Sequence, residues 1–597
     1  MCGFAGTLNV NSNSSNKAPL NCALSSLVHR GPDGEGKLRR VVGSWEIDIG
    51  HRRLKIIDLD DRAAQPFCRE NIIVLFNGEL YNYIELRNDL QKEGICFVTE
   101  SDTEVLAAAF QHWGSKCFQF FDGMYAVVLI DCHRRKVLFA RDPFGEKPLY
   151  LSAGLNEIAF GSTADSVLAF IEGAGPCINY DWLDAFLHLG FAPAPMTIWH
   201  GIEKVAAGEI RELDLETGLW TSVSNASHML IDSLKADNKF NMAEFESLLT
   251  TSIERRLRAD VPVALLLSGG IDSTYIAALI RNKLNWPLVA VTIHDRVDSN
   301  VEIERAARIC TKLGIEHLNL SFPKKSLNEL IGRAITSMDE PISDPAFPLL
   351  VELLAQIPPI YRVILTGDGG DELFLSYGNY RRLLEMKKNY KTMIYGKAAK
   401  TAMAISSQIG GSVIFRAARR IVMDADLPTD IRFGLLLSHS LWGKAHKDQW
   451  YDKIRPRDEG ALALWRYSLE NELPEYLLVK TDRASMHFSL ESRAPYLSRD
   501  LFRYVLSCDP ASMHLGVKID IIDRLNEIFA EDMGFTKRGF FASGQKQLVM
   551  MKNNDWHPLL LERFKDRLVG KSSVRRIDAT IYYRLHILNS WLKLKCA

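Results

Sequence analysis

The chain has 597 residues, 47% hydrophobic and 24% charged, a composition that fits a globular protein of two or more sizeable domains and excludes a disordered or fibrous chain. Lys+Arg 72 against Asp+Glu 73 leaves a net charge of -1, which argues against nucleic acid as the main partner, because a phosphate-binding surface carries a basic excess. The 10 cysteines form no CxxC pair, the start MCGFAGTLNV lacks the basic and apolar regions of a secretory leader, and Thr401–Phe415 falls short of the ~18 apolar residues of a membrane span, so a cytoplasmic, membrane-free setting is expected.

Residues 1–213 read as an antiparallel α+β domain. Apolar runs end in turn residues: Ile72–Phe76 before Asn77-Gly78, Tyr125–Asp131 before His133-Arg134, and Lys136–Ala140 before Asp142-Pro143. A helix is expected over Thr103–Trp113, and the polar stretch 214–239 is the expected linker. Over 240–597 the rhythm changes. Helices Ala243–Arg258, Thr274–Leu284, Glu302–Leu313 and Leu327–Met338 alternate with strands Val261–Leu267, Leu288–Ile293, His317–Phe322 and Val363–Thr366, and a mainly helical stretch follows Leu373. This alternation predicts an α/β domain with a doubly wound parallel sheet, whose ligands bind beyond the carboxyl ends of the strands.

In LLLSGGIDST, Leu265–Thr274, an apolar strand runs into Ser268-Gly269-Gly270, where glycines let the backbone approach a ligand, and Asp272 and Ser273 open a helix. That order aims backbone N–H groups at an anion such as pyrophosphate; a tight strand-to-helix turn remains the simpler alternative. In LTGDGGDELF, Leu365–Phe374, Thr366 and Gly367 follow a second buried strand, and Asp368, Asp371 and Glu372 place three carboxylates close together. Packed carboxylates raise one another's pKa unless a cation compensates, so a magnesium-nucleotide site accounts for them, and a solvated acidic turn is the alternative. MDEPISDP, Met338–Pro345, serves equally as a rigid loop or as a site for a basic acceptor group. In KTDRASMHFSLESRAPYLS, Asp482, Arg483, Glu491 and Arg493 read at helical spacing as a supporting salt-bridge network.

At the N-terminus, removal of Met1 would leave Cys2 with a thiol and an α-amine of pKa near ~7.7–8.0, a nucleophile and its base in one residue, although on that feature alone an incidental second-position cysteine is the simpler reading. GHRRL, Gly50–Leu54, offers a guanidinium for a carboxylate. NGELYN, Asn77–Asn82, offers an amide and a glycine N–H for an oxyanion, and SDTE, Ser101–Glu104, offers a carboxylate for an α-ammonium group. Together they describe a pocket for an α-amino acid whose side-chain amide is attacked, most simply glutamine.

MCGFAG, HRGPDGEG, GHRRLKIIDL, FNGELYN, SDTEVL and ARDPFGEKPLY resemble a class II, N-terminal-nucleophile glutamine amidotransferase domain, an αββα sandwich. APAPMTIWHGIEKVAAGE, the SGGIDS PP-loop, GDGGDELF and SLESRAPYLS extend the likeness to glutamine-hydrolysing asparagine synthetases over Met1 to about Phe541. The resemblance implies Cys2 as nucleophile, Arg53 as carboxylate anchor, Asn77 and Gly78 as oxyanion hole, and Glu79 and Asp102 as further glutamine ligands. It implies an ATP site lined by Leu266, Ser268, Gly269, Gly270, Asp272, Ser273, Ile293, Thr366 and Gly367. Asp272 and Asp371 would hold Mg2+, Asp368 would be the base for ammonia attack, and Lys537 would neutralise the α-phosphate.

The chain departs from the family in carrying Asp368 for Glu, Leu375-Ser376-Tyr377 for Gly-Gly-Tyr, and Gly539–Ser543 for GFG-x-P. The last two departures are expected near the acceptor, where they either add side chains to its pocket or repack the pocket wall. The implied activity is a glutamine-dependent amide ligase making an acyl-adenylate from ATP and a carboxylate. Aspartate is the default acceptor, a sugar uronate or natural-product acid the alternative, and a tRNA-modifying PP-loop enzyme or a silent regulator more distant ones. A homodimer is left open as the assembly.

Overall fold

The apolar runs of the first 225 residues pair into two antiparallel six-stranded sheets. The structure is a computed structural model that describes residues 2–10, 18–154, 156–171, 177–225, 237–295, 300–322, 325–378, 380–381, 460–515, 518–535, 556–560 and 579–595. The first sheet contains β1 (Gly3–Val10), β2 (Gly34–Val42), β3 (Trp45–Arg53), β8 (Tyr150–Ala153), β9 (Glu157–Gly161) and β10 (Glu203–Lys204), in the order β10-β8-β9-β1-β3-β2. The second contains β4 (Phe67–Arg69), β5 (Ile72–Leu80), β6 (Gly123–Asp131), β7 (Lys136–Arg141), β11 (Glu209–Asp214) and β12 (Trp220–Asn225), in the order β12-β11-β7-β6-β5-β4.

Strands β5 and β6 are apolar on both faces because both faces are covered. Successive side chains of a strand point to opposite sides. Thus Val74 and Phe76 of β5, with Tyr125, Val127 and Leu129 of β6, face the helices Tyr83–Lys92 and Asp102–Trp113. Their alternates, Ile73, Leu75, Ala126, Val128 and Ile130, face Phe4, Leu8, Ile47 and Ile49 of the first sheet. Helices Ala18–Ser26 and Tyr180–Leu189 supply buried residues to a further core. The result is the expected αββα sandwich. Within 214–239, expected as a linker, β12 pairs with β11 and lengthens the sheet.

The second domain holds a five-stranded parallel sheet of β13 (Val263–Leu266), β14 (Val289–Asp295), β15 (Glu316–Phe322), β16 (Val363–Leu365) and β17 (Glu491–Arg493), ordered β15-β14-β13-β16-β17. The chain builds outward from β13 to β15 and then crosses to β16 on the other side. This reversal opens a crevice where the loops after β13 and β16 diverge, the usual ligand position in such sheets.

Strand β17 corrects the helical reading of the SLESRAPYLS stretch. Asp482 and Arg483 do lie on a helix, Leu478–Met486, but Glu491 and Arg493 are alternate residues of a strand, which places them on one face.

The domains share one hydrophobic cluster, which runs from Leu20 and Trp182 through Tyr275 and Leu365 to Trp591. The helix Ala579–Lys595 joins that contact. Trp591 packs on Trp199 with ring centroids 5.5 Å apart, and Arg584 donates to the carbonyls of Leu187, His188 and Leu189. Those carbonyls end the helix Tyr180–Leu189 and have no acceptor role within it, so Arg584 satisfies groups that burial would otherwise orphan. Among the described residues, no helix is long and apolar enough to cross a membrane. Thr401–Phe415, Lys537 and Gly539–Ser543 lie outside the described residues.

Candidate active sites

Cys2 immediately precedes β1, and both sides of its backbone are held. Its N–H donates to Asn77 Oδ1 at 3.1 Å, and Arg30 Nε donates to its carbonyl at 3.2 Å. It opens on a cleft of about 370 Å³ that Arg53, Gly78, Glu79 and Asp102 also line, together with Glu491 from the second domain. With Oδ1 engaged by Cys2, Asn77 Nδ2 is a buried donor with no hydrogen-bond partner among the described residues. A Cβ at position 78 would fall 2.0 Å from the Met124 carbonyl, so only glycine permits the β5–β6 approach beside the thiol.

Electrostatics in the cleft follow from burial. Burial pushes the Cys2 thiol above its ordinary value, while the Leu54 backbone N–H and Arg53 oppose it. Burial and the neighbouring Asp102 carry Glu79 well above the carboxylate range, with Arg493 pulling the other way. Asp102 begins its helix and accepts the Leu80 N–H at 3.0 Å; burial still raises its pKa. Arg53 is braced by the carbonyls of Asp60 at 2.7 Å and Asp58 at 2.5 Å. Below it, burial depresses His51 to about 3, and its Nε2 lies 3.2 Å from the Phe76 carbonyl, the geometry of a neutral ring donating from Nε2.

The second constellation lies at the crevice of the parallel sheet. Gly269 adopts φ +74°, and a Cβ there would meet the Glu302 carbonyl at 2.6 Å, which makes glycine obligatory in the loop after β13. Gly270 N–H donates to Ser268 Oγ at 3.2 Å, and Ser273 Oγ lies 3.2 Å from the same hydroxyl. Leu266 ends β13 and Ile293 lies near the carboxyl end of β14, so both border the crevice. From the β16 side, Gly367 packs against Asp272, and Thr366 Oγ1 donates to Asp368 Oδ2 at 3.0 Å.

Asp272 and Asp371, drawn from the two loops, converge on one cation, Lys518 Nζ, at 2.6 Å and 2.7 Å. Sequence reasoning missed Lys518. Its neighbours Leu515 and Ile519 mark an ordinary amphipathic helix start, and only the fold brings the lysine to the carboxylates. Two carboxylates beside the glycine-rich loop after β13 suit a magnesium ion, which is held by one or two carboxylates plus nucleotide phosphates rather than by a protein cage. Among the described residues no group of three or more His, Cys, Asp or Glu is placed to hold a metal by itself. Glu372 is buried and receives Tyr377 Oη at 2.5 Å; burial and then Asp371 raise it to about 7.

The departures after DELF are buried. Leu375 is fully buried in the main core, and Ser376 is buried with its hydroxyl on Asp371. Of the two expectations for these positions, repacking fits better: an apolar residue here is drawn into the core.

MDEPISDP lies largely between the domains. Arg483 donates to Asp339, Glu340 accepts Tyr150 Oη at 2.9 Å and the Ile198 N–H at 2.8 Å, and Asp344 pairs with Lys480 at 2.8 Å. Nearby, Glu475 takes Arg141 and Lys204, each at 3.0 Å. Arg30, Arg141 and Lys204 sit within recognisable motifs, but sequence offered no sign of these long-range partners.

A sandwich with the thiol of residue 2 beside a buried amide, joined to a parallel sheet whose glycine-rich loops carry paired aspartates, fits a glutamine amidotransferase coupled to an ATP-using synthetase. Comparison with known proteins agrees. The glutamine amidotransferase domain family matches residues 1–221, and the asparagine synthase family matches residues 244–516. A Mycobacterium tuberculosis protein provisionally named asparagine synthetase (glutamine-hydrolyzing) is 30% identical over 79% of this chain and 76% of its own length. Asparagine synthetase (glutamine-hydrolyzing) 1 of Bacillus subtilis is 28% identical over 84% of this chain and 80% of its own. Amidase chry2 of Gibberella zeae is 26% identical over 82% and 78%. The chain belongs to the glutamine-hydrolysing asparagine synthetase family and is a glutamine-dependent ligase of that family.

Proposed function

We propose that the chain converts aspartate to asparagine, taking nitrogen from glutamine and releasing AMP and pyrophosphate. With Met1 removed, the Cys2 amine takes the thiol proton and sulfur attacks the glutamine side-chain amide. Arg53 binds the α-carboxylate, Asp102 and Glu79 bind the α-ammonium end, and Asn77 Nδ2 with the Gly78 N–H stabilises the oxyanion. The C–N bond breaks, ammonia leaves with the proton, and water hydrolyses the thioester to glutamate.

In the second domain an acceptor carboxylate oxygen attacks the α-phosphorus of ATP and pyrophosphate leaves. Ammonia then attacks the acyl carbon, Asp368 takes a proton from nitrogen, and AMP departs. Asp272 and Asp371 would hold Mg2+, which supplies positive charge against the pyrophosphate. Lys537 serves the α-phosphate. The observation that supports this reading most is the Cys2–Asn77 contact, which leaves a buried amide donor next to Cys2 without a partner among the described residues.

The likeness to proteins named amidases favours one second reading, the same chemistry on another carboxylic acid. Purified protein with ATP, magnesium and glutamine, assayed for pyrophosphate across a panel of carboxylic acids with mass detection of the amide, separates the two. Asparagine formed with a KM for aspartate near ~1 mM or below supports the proposal. No asparagine at saturating aspartate, with turnover on a uronate or another acid, refutes it.

A further inference from the structure

One helix of the second domain, Leu478–Met486, touches both candidate centres. Thr481 Oγ1 donates to Asp368 Oδ2 at 3.2 Å, the oxygen that also takes Thr366 Oγ1. At the next position Asp482 accepts Arg30 Nη1 at 2.9 Å and Nη2 at 3.0 Å, and Arg483 Nη1 adds a third bond to Asp482 at 2.8 Å. The remaining Arg30 donor, Nε, reaches the Cys2 carbonyl. Arg30 and Asp482 are both buried, at 0% and 4% exposure. A planar guanidinium gripped at both terminal nitrogens keeps almost no freedom at Nε, so the carboxylate of residue 482 fixes where that donor points. The Cys2 backbone is then clamped twice, by Asn77 at nitrogen and by Arg30 at oxygen, and the thiol retains only its own side-chain rotation. Consecutive residues on a helix project about 100° apart, which is how 481 and 482 reach different domains.

We propose that this helix is a positioning element shared by the two reactions: Asp482, acting through Arg30, holds Cys2 in attacking geometry, and Thr481 orients Asp368. The inference rests on Cys2 as nucleophile and Asp368 as base. Neither Thr481 nor Asp482 touches a reacting atom, so each acts through its partner. Misplacement of a reacting group by ~1 Å costs on the order of 100-fold in rate, and loss of one donor to a clamped backbone should cost a fraction of that.

The test uses the full chain, with glutaminase measured on glutamine alone and amide synthesis measured as pyrophosphate released with ATP, magnesium, aspartate and ammonium. Asp482→Asn is expected to lower glutaminase kcat about tenfold or more while KM for glutamine stays within about twofold, because the substrate ligands are untouched. Arg30→Lys keeps an ion pair with Asp482 but removes the Nε donor, and should show the same split. Thr481→Val should lower ammonia-dependent kcat about fivefold or more with glutaminase unaltered, and Thr481→Ser should restore it.

The proposal is overturned if both Asp482→Asn and Arg30→Lys keep glutaminase kcat within about twofold of the parent. It is equally overturned if both activities fall together with a lowered melting temperature, or if Thr481→Val is silent. Cys2→Ala keeps the two readings apart. Surviving glutaminase in that variant would remove the nucleophile itself, whereas its loss beside an unimpaired Asp482→Asn would remove only the positioning role.

Discussion

Arg493 Nη2 donates to Glu79 Oε2 at 3.1 Å, joining the edge strand of the synthetase sheet to a wall of the glutamine cleft. Both side chains are buried, and the same guanidinium also takes Glu491 Oε1 at 2.7 Å. Truncating one partner of a buried pair leaves the other charge uncompensated and costs roughly 3–5 kcal/mol. Arg493→Ala should therefore lower the melting temperature and, by removing the donor that fixes the Glu79 carboxyl group at the cleft wall, raise KM for glutamine. Calorimetry and steady-state glutaminase kinetics read the two effects, and a variant with unchanged KM would show that Glu79 plays no part in binding.

Cys2→Ala should abolish glutamine-dependent synthesis and leave ammonia-dependent synthesis largely intact, because the thiol and the glycine-rich loops lie in separate domains. Parallel assays with the two nitrogen donors decide this, and equal loss with both would contradict a two-site enzyme. Mass spectrometry of active protein that still carried Met1 would separately exclude the N-terminal amine as base.

Asp272 and Asp371 meet at Lys518, so neither carboxylate is spare. Changing either to Asn should cost several kcal/mol of transition-state stabilisation in ATP cleavage, the scale expected when charge on a leaving pyrophosphate goes uncompensated. Glutaminase should persist. Pyrophosphate release at parental rates in either variant would mean that other carboxylates hold the metal.

His51 supplies a pH prediction. Burial lowers its pKa from 6.5 to about 3, so the unfolded chain takes up the proton first. The stability it contributes is complete above 6.5 and is lost as pH falls from 6.5 towards 3, on the order of 2 kcal/mol by pH 5. His51→Gln, which can still donate to the Phe76 carbonyl, should show a smaller drop in melting temperature between pH 7 and pH 5 than the parent. An identical drop would contradict the assignment of a neutral ring.

Much of the architecture is legible in local patterns. Strands β5 and β6, the helix after Ser101, and the strand–glycine–helix unit at Leu265–Thr274 each declare themselves through apolar runs and turn residues. What stays hidden is whatever depends on distant partners. Strand β17 is three residues long and, among the described residues, pairs only with β16, so its charged side chains mimic a helix surface. Lys518 reaches the carboxylates from a helix start 246 residues away from Asp272. Whether Leu375 lined a pocket or repacked its wall could not be read from neighbouring motifs, and core packing decided for the second. The grouping of Cys2, Arg53, Gly78, Glu79 and Asp102 about one cleft could be anticipated, whereas the entry of Glu491 into that cleft could not.

The position of the helix Ala579–Lys595 bears on how the protein is made. Trp199 and the exposed helix end at Leu187–Leu189 leave the ribosome nearly 400 residues before Arg584 and Trp591, which cover them. Domains generally fold as they emerge, so the amidotransferase half must wait through most of translation with an apolar surface uncovered. A chain that terminates early keeps the thiol cleft and lacks this seal. Synthesis of this helix, rather than folding of either half, is thus the event that completes the contact between the two domains.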